Sequence, residues 1–403
     1  MKTLRILVSG GGSSGHISPA LAIISALNEL AAQSASIPAD ESAVYSSGQT
    51  PTAWSPQYLY LGGLRGLEKG IVEAAGIPFI GVETGKLRRY FSRENFTDML
   101  RVPVGVLQSL RHVRAFRPHV VLATGGYVAV PPVLAAALLR VPVVIHEQTV
   151  QIGLANRITG RFATRIGLSS ELALEDLSSA LRHKAFVVGN PVRPLIFGGD
   201  PAEAVRLTGF EPNEVLPTIY VTGGSQGARV INRAVEETLP QLLQVCRVIH
   251  QCGQQPAGDE QDYDRLTQAS TQLSPELRRR YFLTRFVGDE IKHVFALADL
   301  VIGRAGAGTV NEVCALGKAA LYIPLVPTRG DEQTRNARVC VEAGAANVIA
   351  QSELSGERLM REASTLLADG NRLRGMGEAA RHLARPDAAR DMAQAVVQLA
   401  LKE

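Results

Sequence analysis

Short β-branched runs alternate with longer stretches of helical periodicity along the chain: Tyr58-Leu-Tyr-Leu61, Phe79-Ile-Gly-Val82, Val120-Val-Leu-Ala123, Val143-Val-Ile145, Arg165-Ile-Gly-Leu168 and Phe186-Val-Val188. After Asn190-Pro-Val-Arg193-Pro194 the pattern restarts with Ile219-Tyr-Val221, Val248-Ile249, Leu300-Val-Ile302, Ala320-Leu-Tyr-Ile323 and Asn347-Val-Ile349. Strands alternating with helices predict parallel α/β folding. The restart places the junction within 194–217, giving a first domain over 1–193, a second over 194–384 and a terminal segment over 385–403. Within that segment, Asp387 to Lys402 follows Pro386 and reads as an amphipathic helix able to pack back on the first domain. Residues 31–57, rich in Ala, Ser and Pro, predict a mobile insertion, and 254–280 a polar connection plus a helix.

Two segments share one grammar of strand, glycine turn and helix. They are Arg5-Ile-Leu-Val-Ser-Gly10-Gly-Gly-Ser-Ser-Gly15-His16 and Thr218-Ile-Tyr-Val-Thr-Gly223-Gly-Ser-Gln-Gly-Ala228. Such a turn presents unpaired N–H groups at the positive end of a helix dipole, which suits phosphate. Two of them predict two Rossmann-like domains with parallel sheets facing an interdomain cleft.

Length and composition agree. The 403 residues exceed what one core usually organises, and 46% hydrophobic with 20% charged residues is the balance of a globular chain. A net charge of +4 does not argue for nucleic acid. The apolar run of Val128 to Leu139 contains Pro131 and Pro132 and is shorter than the roughly 20 residues a membrane span needs. Met1-Lys-Thr-Leu-Arg5 starts like a signal peptide, but glycines break the following apolar run, so it reads as a core strand. Cys246, Cys252, Cys314 and Cys340 lack paired spacing and read as free thiols in a reducing cytoplasm.

Read together, six loops become specific: Gly11-Gly-x-x-Gly15-His16-x-x-Pro19-Ala20, Thr124-Gly-Gly-Tyr-Val128, His146-Glu-Gln148, Gly189-Asn-Pro-Val-Arg193, Gly223-Gly-Ser-Gln-Gly-Ala228 and Asp331-Glu-Gln-Thr-Arg-Asn-Ala337. In this order they closely resemble the MurG family of N-acetylglucosaminyltransferases. The resemblance implies a GT-B fold with UDP-N-acetylglucosamine as donor and undecaprenyl-diphosphate-linked muramyl-pentapeptide as acceptor. It also implies peripheral placement at the cytoplasmic face of the cell membrane and a role in peptidoglycan synthesis, cell shape and cell division. Cell-wall synthesis or division proteins are then further partners. Neither cofactor nor metal is called for, and nucleic acid is not expected.

The residues carry this reading unequally. His16 can accept a proton from the attacking hydroxyl or contact a phosphate, and Glu147 is a second candidate for proton handling or an ion-pair partner. Ser13, Ser14, Gly15, Gly125, Gly126 and Tyr127 form the expected acceptor-diphosphate loops. For the donor the candidates are Arg193 on the diphosphate; Ser225, Gln226 and Gly227 at a helix start; and the amides of Ala307, Gly308 and Thr309. The resemblance further assigns the ribose to Glu312, uracil to the backbone of Val287, and the sugar to Gln333, with Asn336 beside it. Thr149 stands where the family usually has a donor-binding Asn. Two other departures are Ser13-Ser14 in place of Thr-Gly and Gly303-Arg-Ala-Gly-Ala307 in place of Ser-Arg-Ser-Gly-Ala.

Lys86-Leu-Arg88-Arg89-Tyr90-Phe91-Ser-Arg93-Glu-Asn-Phe96, followed by Arg101, Arg111, Arg114 and Arg117, is basic with aromatic interleaving. It reads as contact with an anionic membrane surface or as a solvated face. Asp262-Tyr-Asp264 matches a metal-binding D-x-D pattern but lies in a polar run and reads as a solvated helix. Three other functions compete. A dinucleotide dehydrogenase needs an acid after the second strand, where Tyr58-Leu-Tyr-Leu-Gly62-Gly63 has none. Another GT-B lipid glycosyltransferase or a sugar-nucleotide epimerase is separable by donor and acceptor tests. A non-catalytic scaffold binding lipid precursor or nucleotide predicts binding without turnover.

Overall fold

The computed structural model describes residues 1–12, 14–36, 53–64, 66, 68–85, 93–149, 151–254, 261–326 and 331–402, the side chains of Ser14 and 93–100 excepted. The chain divides into two compact units, Met1–Arg193 with Arg385–Glu403, and Pro194–Ala384.

In the first unit, β1 (Lys2–Ser9), α1 (Ser14–Ser36), β2 (Trp54–Gly63), α2 (Glu68–Ala74), β3 (Phe79–Val82), α3 (Arg93–Phe116) and β4 (Val120–Ala123) come first. They are followed by α4 (Val130–Leu138), β5 (Val143–Glu147), α5 (Leu154–Thr159), β6 (Arg165–Leu168), α6 (Glu171–Asp176), α7 (Ser179–Arg182) and β7 (Ala185–Val187). All seven strands run parallel in the order β3-β2-β1-β4-β5-β6-β7. Period-two alternation sends Ile6 and Val8 into one core with Ile23 and Leu27 of α1, and Leu7 into another with Val113 of α3 and Val133 of α4.

The second unit contains α8 (Pro201–Thr208), β8 (Thr218–Thr222), α9 (Arg229–Val245), β9 (Arg247–Gln251), α10 (Asp262–Thr271), α11 (Pro275–Arg278), β10 (Tyr281–Thr284) and α12 (Ile291–Leu297). It continues with β11 (Leu300–Gly303), α13 (Ala307–Ala315), β12 (Ala319–Tyr322), α14 (Glu332–Glu342), β13 (Ala346–Val348), α15 (Gly356–Leu367) and α16 (Gly370–Leu383). Its six parallel strands are ordered β10-β9-β8-β11-β12-β13. Val221, Leu300 and Ile302 share a core with Ile231 and Val235 of α9 and Leu359 of α15.

The last helix, α17 (Ala388–Leu401), belongs to the first unit, where Met392 and Val396 join the α1 core. Met392 lies so close to Gly167 on β6 that any Cβ there would collide with its sulfur.

The reading of 31–57 as one mobile insertion needs correction at both ends. Helix α1 continues to Ser36 with Ala31 buried, and Trp54 is buried and pairs in register with Lys2. Apolar side chains at those ends gain more by burial than a solvated loop would allow; 37–52 lie outside the described residues.

In both units the strand order reverses beside the first strand, between β1 and β4 and between β8 and β11. Loops leaving the carboxyl ends of such a pair diverge and leave a crevice. The glycine turns stand there.

Met392→Ala is expected to destabilise the first unit by about 2–5 kcal/mol, the usual cost of truncating a fully buried methionine. Denaturant unfolding checks this, and an unchanged midpoint would remove α17 from the core.

Candidate functional site

In the first unit, the turn after β1 and the turn after β4 touch backbone to backbone. Gly11 N–H donates to Gly125 C=O at 3.3 Å, and a Cβ on Gly126 (φ 80°) would strike Gly11 C=O. A side chain at Gly12 would meet the Tyr127 ring at 2.5 Å. Glycine is thus demanded by contact as well as by φ. His16, in the first turns of α1, lies against this pair of turns: Cβ atoms on Gly125 and Gly126 would come within 3.2 and 3.1 Å of its ring. The acceptor-loop candidates Gly15, Gly125 and Gly126 therefore lie beside His16, with Tyr127 over Gly12 of the neighbouring turn; Ser13 and the Ser14 side chain lie outside the described residues.

His16 Nδ1 lies 3.1 Å from the Thr124 carbonyl, and Gln148 Nε2 lies 2.8 Å from that carbonyl and 3.0 Å from Nδ1. Two tautomers fit. With Nδ1–H donating to Thr124, Nε2 carries a lone pair; with Gln148 donating to Nδ1, Nε2 carries hydrogen and can only donate. Burial holds the imidazole below its ordinary pKa, opposed by the Glu147 charge and the Thr124 carbonyl.

Glu147, at the end of β5, is buried, and its partners are neutral. Oε1 accepts from Thr149 N at 3.0 Å and Thr149 Oγ1 at 2.8 Å; Oε2 accepts from Gly153 N at 2.9 Å and Asn156 Nδ2 at 3.0 Å. Three N–H donors hold the carboxylate, and the one Thr149 hydroxyl proton is shared between Oε1 and the Gln151 carbonyl 2.5 Å away, so Glu147 acts on the site by its charge and by holding the loop after β5. Thr149 is one of its clamps.

Three residues here were not singled out from sequence. Gln148 lies inside a quoted motif, and Asn156 stands on α5 beyond the loop that follows it, so nearness in sequence to Glu147 was the only available signal. Glu68 is the third. It is fully buried, Oε1 accepts from Gly63 N at 2.8 Å, Oε2 has no hydrogen-bond partner, and a Cβ on Gly11 would lie 2.8 Å from its carboxyl. The end of β2 carries no acid, and the one that follows is Glu68 at the start of α2. Its complete burial under the glycine turn keeps it from a ribose.

In the second unit, Ser225 and Gln226 are exposed in the turn before α9, with Gly224 and Gly227 at φ 84° and 77°. Ala228, the residue before α9, makes no side-chain cap, and neither does Gly306 before α13. Neither helix start is capped by a side chain, the arrangement in which a helix N-terminus suits an anion. Ala307, Gly308 and Thr309 form the first turn of α13, with half-buried Glu312 one turn on. Asn336 donates to Ala305 C=O at 3.0 Å, and Gln333 Oε1 accepts from Leu325 N at 3.0 Å, so α14 is tied to the loops before it. Val287 N–H donates to Gln251 Oε1 at 3.0 Å. Arg193 is half-buried and closes the first unit.

The solvated-helix reading of Asp262-Tyr-Asp264 holds for Asp264, exposed and 3.2 Å from Arg285, but fails for Asp262. Asp262 is buried, accepting from Asn232 Nδ2 at 2.7 Å and Arg265 Nη2 at 2.9 Å. Asn232 Oδ1 in turn accepts from His250 Nε2 at 3.0 Å, leaving His250 Nδ1 to accept from Tyr281 OH at 3.0 Å. A buried carboxylate needs such donors, and an arginine one turn along the helix supplies one. Among the described residues no group of three or more His, Cys, Asp or Glu could hold a metal ion.

Comparison with known proteins decides the family. Residues 54–168 match the glycosyltransferase family 28 N-terminal domain and 218–392 its C-terminal domain. A Listeria monocytogenes (serotype 4a, strain HCC23) protein named UDP-N-acetylglucosamine–N-acetylmuramyl-(pentapeptide) pyrophosphoryl-undecaprenol N-acetylglucosamine transferase is 34% identical over 403 residues, 98% of this chain and 99% of its own. One of the same name from Shouchella clausii (strain KSM-K16) is 35% identical over 366 residues, 90% of each. The chain belongs to the MurG family of glycosyltransferases. The crystal structure of Acinetobacter baumannii MurG superposes with TM-score 0.69 at 25% identity, covering 98% of this chain and 99% of that one. The calicheamicin glycosyltransferase CalG4 shares the fold at TM-score 0.62 and 15% identity, covering 99% of each chain. The MurG-family chain thus has the GT-B type of fold, with two Rossmann-like units. Its basic segment is only partly described: 86–92 lie outside the described residues, while α3 carries exposed Arg111, Arg114 and Leu107. No helix among the described residues is long and apolar enough to cross a membrane.

Burial pushes His146 down to about 4, against the Gly189 carbonyl and the Glu147 charge, and His250 down to about 3, against Asp262. Unfolded imidazoles titrate near 6.5, so below that pH the unfolded chain binds more protons, and stability present in full above about 6.5 is lost as pH falls towards the folded values. Unfolding at pH 5 is expected to take up at least about two protons, measured as the pH slope of the unfolding free energy. A flat slope would mean the two rings are not buried neutral.

Proposed function

We propose that this chain transfers N-acetylglucosamine, with inversion, from UDP-N-acetylglucosamine to the 4-hydroxyl of undecaprenyl-pyrophosphoryl-MurNAc-pentapeptide, forming the β-1,4-linked disaccharide of the peptidoglycan precursor. The observation that carries it is near-full-length similarity to enzymes of that name. The geometry around His16 supplies the chemistry. The hydroxyl oxygen attacks the anomeric carbon, the bond from that carbon to the β-phosphate oxygen breaks, UDP departs, and the hydroxyl proton passes to His16 Nε2. Nδ1–H bonded to the Thr124 carbonyl, with the Glu147 charge nearby, favours the imidazolium that results. We assign the base to His16 and not to Glu147, whose oxygens are already occupied.

The first unit then takes the acceptor, its diphosphate on the glycine turns with Gly15 and Tyr127. The second takes the donor: the diphosphate on Ser225, Gln226 and Gly227, ribose on Glu312, uracil on Val287 and the sugar on Gln333 and Asn336, with the amides of Ala307, Gly308 and Thr309 as further contacts; Arg193, the last residue of the first unit before the junction, is the remaining diphosphate candidate. Helix-start amides stabilise the departing UDP, so the scheme needs no metal. A lipid-linked acceptor places the enzyme peripherally at the cytoplasmic face of the membrane, where the exposed arginines and Leu107 of α3 suit anionic headgroups. Cell-wall synthesis and division proteins are its expected neighbours there.

Purified protein is expected to transfer radiolabelled GlcNAc to a short-chain lipid-linked muramyl-pentapeptide in the presence of EDTA; donor binding without transfer, or loss of transfer in EDTA, would overturn the scheme. His16→Ala should lower kcat by about 10²–10⁴, the usual worth of a general base. Glu147→Gln removes a charge that raises the proton affinity of His16, so the acid limb of the kcat/KM profile should move to lower pH. An unmoved limb would leave Glu147 a loop anchor only.

A further inference from the structure

The two ends of the donor nucleotide fall on separate loops, the base on Val287 after β10 and the diphosphate on 225–227 after β8. One side chain joins them. Gln251, the last residue of β9, is 5% exposed. Its Oε1 accepts from Val287 N–H at 3.0 Å and Tyr220 OH at 3.3 Å; its Nε2 donates to Gly224 C=O at 3.1 Å and Thr222 Oγ1 at 3.2 Å. The amide cannot be turned over, because a backbone N–H only donates and a carbonyl only accepts. Thr222 Oγ1 also accepts from Gly224 N at 3.1 Å, so this glycine, at φ 84°, is held at both its N–H and its C=O.

The strap is continuous beyond Gln251. Gln254 N donates to Ser225 C=O at 2.9 Å, Gly253 N to Arg285 C=O at 3.1 Å and Cys252 N to Thr284 C=O at 3.0 Å. A Cβ at Gly227 would collide with the Cys252 carbonyl, so the two turns lie in contact. Residues 251–254 therefore stand between the base loop and the phosphate loop, bonded to both, and the Gln251 side chain itself reaches both.

We infer that Gln251 is a positioning residue that couples the base loop to the phosphate loop, so that filling the base subsite orders the turn that receives the diphosphate. This rests on reading the second unit as the UDP-sugar site. A ligand that steadies the Val287 loop steadies Gln251 through Oε1, and Nε2 passes the restraint to Gly224. Coupling of this kind is reciprocal, so a diphosphate on the turn also favours the base on its loop.

Hydrogen exchange on the full-length protein tests it, with uridine as a probe that has a base and no phosphate. In wild type, uridine should slow exchange in 222–228 as well as in 284–288; in Gln251→Met it should protect 284–288 alone. The variant should also raise KM for UDP-N-acetylglucosamine about tenfold, as one or two lost buried hydrogen bonds predict, with kcat changed less than KM. If Gln251→Met does not fold, Gln251→Glu makes the same comparison, since its carboxylate still accepts from Val287 but cannot donate to Gly224. Uridine leaving 222–228 unprotected in wild type, or protecting it equally in the variant, would overturn the coupling. Wild type binding neither uridine nor UDP would overturn the donor-site reading itself.

Discussion

In a parallel sheet every strand leaves at the same end, so two strand-ending turns can open a crevice only where the strand order reverses. That reversal falls between β1 and β4 and again between β8 and β11. The remaining chemistry of the chain depends on it. Glycine turns anywhere else along these sheets would be covered by the crossover helix of a neighbouring strand. At the reversal the turns themselves stand clear of such a helix.

The turns are shaped by contact as much as by their own conformation. Gly126 is pressed against Gly11, Gly12 against the Tyr127 ring and Gly227 against Cys252. Buried polar side chains then set where the turns stand. Glu147 gathers donors from the loop after β5 and from Asn156 of α5, and Gln251 ties two loops of the second unit. Each side chain is nearly sealed from water, so a lost partner would leave a buried polar atom unpaired, which is the costlier half of a hydrogen bond. This gives the loops definite positions without regular secondary structure.

Thr149 shows how a departure from a family pattern is absorbed. Its hydroxyl and N–H both serve Glu147, and the hydroxyl also lies 2.5 Å from Gln151 C=O. The short side chain turns inward to the carboxylate, so the loop keeps its organiser even where the usual amide is gone.

Much of the architecture was legible in the chain order of its residues. Alternating apolar runs determined two parallel α/β units, because a strand buried on both faces must be apolar throughout and its crossover must be helical. The ordered loop motifs determined the family, and glycines before helix starts marked the turns that stand at the two strand-order reversals. Local patterns of this kind are carried by residues a few positions apart. What the tertiary structure alone decided were the pairings across long separations: His16 beside Thr124 and Gln148, Glu68 under Gly11, Asp262 buried against Asn232, and Gln251 joining Gly224 to Val287. Asp262 read as solvated and Trp54 as part of a loop because composition describes an average environment. A buried polar side chain is defined by the partner that compensates it, and that partner is chosen by the fold.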